Sequence, residues 1–236
     1  MRTTAVALVL AAISCAHPSP KPNDPLDLAE EKDTVEPRVC TPATTETAPT
    51  DGRIATFTAP GKALAFKGRI IPYPEGDALA PKVDTKDGSL HLTVNAPVGE
   101  KPQYLGVSLS FPKCVDASAY TGVRFVIHGS YTGCSMQYAT GDVGHGDRYT
   151  QAPFAAGGRG SYPPQTMFES GLVTPAAQTI SIPFTDRTIP GDPPVPLDKT
   201  KLTQVLWQLT VSPAGSILDG TTRCVADLHL DEVVFY

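Results

Sequence analysis

The chain has 236 residues, 24 of them proline and 20 glycine, with 41% hydrophobic and 18% charged side chains. Proline at about twice its ordinary share excludes a protein built of long helices, because proline lacks the amide proton and its ring clashes with the preceding turn. Nineteen Lys and Arg against 24 Asp and Glu leave a net charge of −5. With no basic cluster to neutralise successive phosphates, the sequence argues against nucleic acid as a partner.

At the N-terminus, Arg2 supplies one positive charge, residues 5–13 form an unbroken apolar run, and Ser14, Cys15 and Ala16 follow with small side chains. That order of features reads as a secretory signal peptide. Nine residues of helix rise only about 14 Å, against a hydrocarbon core of roughly 30 Å, so the run does not span a membrane. The tetrapeptide Ala12-Ile13-Ser14-Cys15 resembles a bacterial lipobox, with Ala12 where leucine is usual. The resemblance implies a signal peptide over 1–14, acylation of Cys15, and a lipid anchor at the bacterial cell envelope, at the outer membrane. Cleavage after Ala16 is the alternative, and it gives a secreted or periplasmic protein. Residues 15–50 carry seven prolines among Asp, Glu, Thr and Lys. Such a stretch buries too little apolar surface to offset its ordering entropy, so it reads as an extended linker.

The body, 51–236, is one domain by length and reads as strands. Residues 89–95 place Leu90, Leu92 and Val94 on one face and His91 and Thr93 on the other, the period of a half-buried strand. Over 104–111, Leu105, Val107, Leu109 and Phe111 alternate with Gly106, Ser108 and Ser110. Residues 123–128 set Val123, Phe125 and Ile127 against Arg124, Val126 and His128. Further strands are predicted at 134–140, 179–184, 204–211 and 225–236. In 204–211, Trp207 shares its face with Val205, Leu209 and Val211, which places it in the core and turns Leu206, Gln208 and Thr210 outward. The one helical feature is a turn near 116–120. Short strands between Gly, Pro and Asp turns predict an all-β antiparallel sandwich.

One insertion, 141–171, contains seven glycines and stands out as a binding loop. Its Asp142, His145, Asp147 and Arg148 suit a cation or sugar hydroxyls, and its Tyr149, Phe154 and Tyr162 are stacking candidates.

The order and spacing of Cys114, Asp116, Ser118, Tyr120, Gly122 and Phe125, then Ile182-Pro183-Phe184, Trp207-Gln208 and the terminal Leu-His-Leu-Asp-Glu-Val-Val-Phe-Tyr resemble the galactose-binding-like jelly rolls of carbohydrate-binding modules. The resemblance covers 52–236. It implies two opposed antiparallel sheets, a concave face or loop rim for a ligand, and a non-catalytic role. It also implies a structural calcium at Asp231, with oxygens from a first strand at 53–58. In that strand Thr58 replaces the usual acid.

Four cysteines besides Cys15 stand in an exported chain, where disulfides form. The turn from Gly129 to Gly133 suggests Cys114 with Cys134, and the adjacent terminal strands of jelly rolls then imply Cys40 with Cys224. The other two pairings stay open.

No G-x-S-x-G, H-E-x-x-H, Walker or dinucleotide motif occurs, so no enzyme is expected. No organic cofactor is called for. Sugar binding needs an aromatic surface beside polar groups. His91, Ser108, Ser110, Arg124, His128, Gln137 and Gln208, with Tyr149 from the loop, are the candidate ligand-binding residues. The expected function is an envelope lipoprotein that binds a polysaccharide or cell-wall glycan. The alternative is an assembly lipoprotein whose sandwich binds an envelope protein.

Overall fold

The chain forms strand in twelve places, in a computed structural model that describes residues 40–57, 64–74, 78–143, 165–168, 171–184, 197–212 and 222–236. The strands are β1 (Thr45–Thr47), β2 (Arg53–Ala55), β3 (Arg69–Tyr73), β4 (Lys82–Lys86), β5 (Ser89–Pro97), β6 (Gln103–Asp116), β7 (Gly122–Thr132), β8 (Ser135–Asp142), β9 (Gln165–Met167), β10 (Gln178–Pro183), β11 (Leu202–Val211) and β12 (Arg223–Phe235). The signal peptide, Cys15, the linker as far as residue 39, Thr58, His145, Asp147, Arg148, Tyr149, Phe154 and Tyr162 lie outside the described residues.

The strands form two sheets. In the first, β6 is followed by β11, β8 and β9, and its other edge is shared by β3 and β1. In the second the order is β10, β7, β12, β5 and β4, with β2 beside the end of β12. From β5 to β8 the chain changes sheet at every connection, and from β9 to β12 it does so again. That alternation makes the sandwich a jelly roll. All pairings are antiparallel except that of β1 with β6, which is parallel.

The core forms where the apolar sides of both sheets meet. The first sheet contributes Leu105, Val107, Leu109, Met136, Tyr138, Val205, Trp207 and Leu209, and the second Leu90, Leu92, Phe125, Ile127, Leu228 and Leu230, all buried. These are the alternate residues of each strand, as a pleated backbone requires.

Three expectations change. The folded body begins before Asp51, because β1 lies in the stretch read as linker and pairs with Thr45 opposite Cys114. Its sequence, Thr-Glu-Thr, shows no apolar alternation and is held by the neighbouring strand. The one helical feature predicted lies at 116–120, where an ordinary turn forms, Ser118 N donating to Asp116 Oδ1 at 2.9 Å and Tyr120 N to Ala117 O at 2.9 Å; among the described residues a 3-10 turn lies instead at Ala65–Lys67.

The disulfides are the third. They join Cys40 to Cys114 and Cys134 to Cys224, not Cys114 to Cys134 and Cys40 to Cys224. The reason is topological. β7 and β8 belong to different sheets, so the turn between them is not a hairpin. Cys114 precedes Val115, which pairs with Leu202 at one end of β11, whereas Ser135, just after Cys134, pairs with Thr210 at the other end. At about 3.3 Å per residue the two cysteines are roughly 25 Å or more apart.

Candidate functional site

The residues proposed as one polar face divide between the two sheets. Ser108, Ser110, Gln137 and Gln208 lie on the outer side of the first sheet, while His91, Arg124 and His128 lie on the second. The two sheets share a core, so their outer sides face away from each other. Sequence alternation identified the outward positions correctly but had no means of assigning strands to sheets.

On the first sheet, register lines up the outward residues in rows that cross the strands. One row runs Tyr73, Gly106, Gln208, Gln137 from β3 through β6 and β11 to β8. The next rows are Ile71, Ser108, Leu206, Ala139 and Arg69, Ser110, Gln204, Gly141. Gly106 is necessary here because Tyr73 crosses β6 over it, and a Cβ at that position would stand 2.5 Å from the tyrosine hydroxyl. The hydroxyl passes on to β11, where it donates to the Trp207 carbonyl oxygen at 3.1 Å, with Gln208 Oε1 at 3.4 Å. Burial pushes the Tyr73 phenol well above its usual pKa, so the ring stays neutral. Ser108 Oγ donates to Gln204 Oε1 at 2.8 Å. Gln137, Gln204, Ser108 and Ser110 are all buried, although they lie outside the apolar core.

On the second sheet, another row crosses β7, β12, β5 and β4: His128, His229, His91 and Asp84. The three rings stack, His229 on His128 and on His91, each at 4.5 Å between centroids. His91 is held by Asp84 Oδ1 at Nδ1, 3.1 Å, and by Asp227 Oδ1 at Nε2, 3.0 Å. Burial, together with the nearby His128 and His91, holds the His229 imidazole below its usual pKa, with Asp227 acting in the opposite direction. Arg124 is exposed on the same sheet, opposite Ser181 and Val234.

Asp231 sits at an irregularity of β12, where its Oδ1 accepts from Glu232 N at 2.7 Å; Glu232 has the left-handed φ of 48°. The carboxylate thus secures the bulge that lets β12 pass from β5 to β2. Asp142, grouped in the sequence with His145, is buried and accepts from Asp198 N at 2.7 Å through Oδ2, so it fastens the segment that leads into β11.

Sequence reasoning missed Tyr73, Asp84, Asp227 and His229. Tyr73 stands between Pro72 and Pro74, which hide the strand it ends. A signal for the histidines was present: Leu-His-Leu occurs at 90–92 and again at 228–230, and the two copies pair residue for residue.

No protein-family model matches the chain, and no curated protein does. Among solved structures it is similar to a family 11 carbohydrate-binding module from Clostridium thermocellum in complex with a β-1,3-1,4-mixed-linked tetrasaccharide, at 14% identity and a TM-score of 0.40, covering 77% of this chain and 95% of that one. It is also similar to the family 30 module of a cellulosomal cellulase of Clostridium thermocellum, at 16% identity, TM-score 0.39, 79% and 93% coverage. A family 29 module from Piromyces equi gives 12% identity, TM-score 0.35, 77% and 87% coverage.

Proposed function

We propose that the protein is a non-catalytic binder of a polysaccharide or cell-wall glycan, carried at a bacterial cell envelope by acylated Cys15. The observation that supports this is the row Tyr73, Gly106, Gln208, Gln137 across the first sheet. A pyranose presents an apolar C–H face ringed by hydroxyls, and it is matched by an aromatic ring beside groups that both donate and accept. Glutamine amides do both. Glycoside hydrolysis, in contrast, takes a pair of carboxyl groups flanking the bond, and the three rows described contain no Asp or Glu.

The test is retention of the full chain on affinity gels of soluble polysaccharides and cell-wall glycans. Gln208→Ala and Gln137→Ala are expected to abolish retention with the fold intact by circular dichroism, and Arg124→Ala to retain it. Retention that survives the two glutamine changes but not Arg124→Ala moves the site to the second sheet. Anchoring is tested separately: Cys15→Ala should shift the protein out of the detergent phase, because stable attachment takes two acyl chains or an equivalent second signal. A soluble mature protein that starts at His17 refutes the anchor.

A further inference from the structure

The histidine row on the second sheet brings the Nε2 atoms of two imidazoles to one carboxylate oxygen. Ser89 Oγ donates its single hydrogen to Lys86 O at 2.9 Å, so it accepts from His229 Nδ1, which lies 2.9 Å away. In the neutral ring this leaves a lone pair on His229 Nε2, which faces Asp227 Oδ1 at 3.6 Å. His91 stands between two carboxylates. A neutral imidazole has one hydrogen, and when Nδ1 gives it to Asp84, Nε2 turns a lone pair to the same Asp227 Oδ1 at 3.0 Å. Two imidazole nitrogens thus converge on one carboxylate oxygen, at 3.0 and 3.6 Å. A proton on His91 satisfies that oxygen, and so does a metal ion shared by both rings.

We propose that His91, Asp227 and His229 form a site for a divalent transition-metal ion of the zinc type on the outer face of the second sheet. Their ligand atoms all lie within 4.8 Å of one another. Zinc bonds of about 2.0–2.1 Å in a tetrahedron place ligand atoms roughly 3.3 Å apart, and the two nitrogen-to-oxygen distances of 3.0 and 3.6 Å lie on either side of that value. Two imidazoles and one carboxylate suit zinc or its neighbours, whereas calcium takes six to eight oxygens. Asp227 is 65% exposed, which leaves the fourth position to water. Asp84 on His91 Nδ1 and Ser89 on His229 Nδ1 are the outer partners that fix the tautomer of each ligand. His91 and His229 stack at 4.5 Å between centroids with their planes 20° apart, so one ring turns about its Cβ–Cγ bond to bring its lone pair onto the shared ion.

The site is tested by titrating the intact, untagged protein with Zn2+, and separately with Co2+ followed by its visible spectrum. The expected result is one equivalent bound, a tetrahedral cobalt spectrum and no displacement by excess Ca2+. His229→Ala and Asp227→Asn should each weaken Zn2+ at least about tenfold, and Asp84→Asn, which changes only an outer partner, by about 10- to 100-fold. Imidazole nitrogen spectra of the unaltered protein remove any dependence on the folding of variants. They should show Nδ1–H tautomers at His91 and His229 whose Nε2 signals move on adding Zn2+. Unchanged Zn2+ affinity in a folded His91→Ala/His229→Ala variant, or Nε2 signals that do not respond to the metal, overturns the proposal.

Discussion

Trp207 is 1% exposed and packs edge-on against Phe125, perpendicular at 5.1 Å, and against Tyr138 at 5.6 Å. Its indole nitrogen is buried without a hydrogen-bond partner among the described residues, so aromatic packing and burial hold it in place. Trp207→Ala should therefore cost about 3–5 kcal/mol, as deletions of large core side chains do, and a denaturant titration measures it. A variant that keeps its midpoint but loses glycan retention would instead make Trp207 part of the binding surface. This side chain was legible in the sequence because Val205, Leu209 and Val211 share its face. Tyr73 was not, because proline on either side hides a strand. Proline is compatible with an edge strand, and β3 is one, pairing among the described residues only with β6. Its place over Gly106 depends on register between strands distant in sequence, which no local pattern records.

At the scale of elements, the strands that alternation revealed have one face in the core, and apart from β10, at an edge of the second sheet, they are central. Those it missed lie at edges. β4 reads Lys-Val-Asp-Thr-Lys and is mostly exposed, so little apolar periodicity is imposed on it. The cysteine pairing failed for a related reason: proximity along the chain was taken for proximity in a sheet, although β7 and β8 lie on opposite layers. As built, the bridges span sequence separations of 74 and 90. The chain-entropy model gives each roughly 4–5 kcal/mol. Cys134→Ser/Cys224→Ser should lower the melting temperature by roughly 10 °C or more for a domain of this size. Non-reducing peptide maps should recover Cys40 with Cys114 and Cys134 with Cys224. A map linking Cys114 to Cys134 contradicts the strand order itself, since that pair could meet only if β6 and β8 were differently placed.

At the scale of the whole molecule, the sandwich separates two chemistries that a single polar face had been expected to combine. The outer side of the first sheet carries glutamine amides, hydroxyls, Tyr73, Tyr104 and Arg69; that of the second carries imidazoles and carboxylates together with Arg124. Two sheets pack about 10 Å apart, and the interior between these two is filled with apolar side chains from both. Sites on opposite outer faces therefore share no side chain. Perturbations at separated sites without shared partners combine to within about 0.3–0.5 kcal/mol, roughly a factor of two. Saturating Zn2+ should accordingly leave the affinity of the protein for a retained glycan unchanged within about twofold, measured by calorimetry with and without the metal. A change of tenfold or more would require the metal to alter the first sheet. The path would have to run through β7 and β12, whose inward residues Phe125, Ile127 and Leu228 are buried in the shared core, with Phe125 against Trp207. In that event Trp207 carries the coupling, and Trp207→Phe, which keeps an aromatic ring in the core, should reduce it.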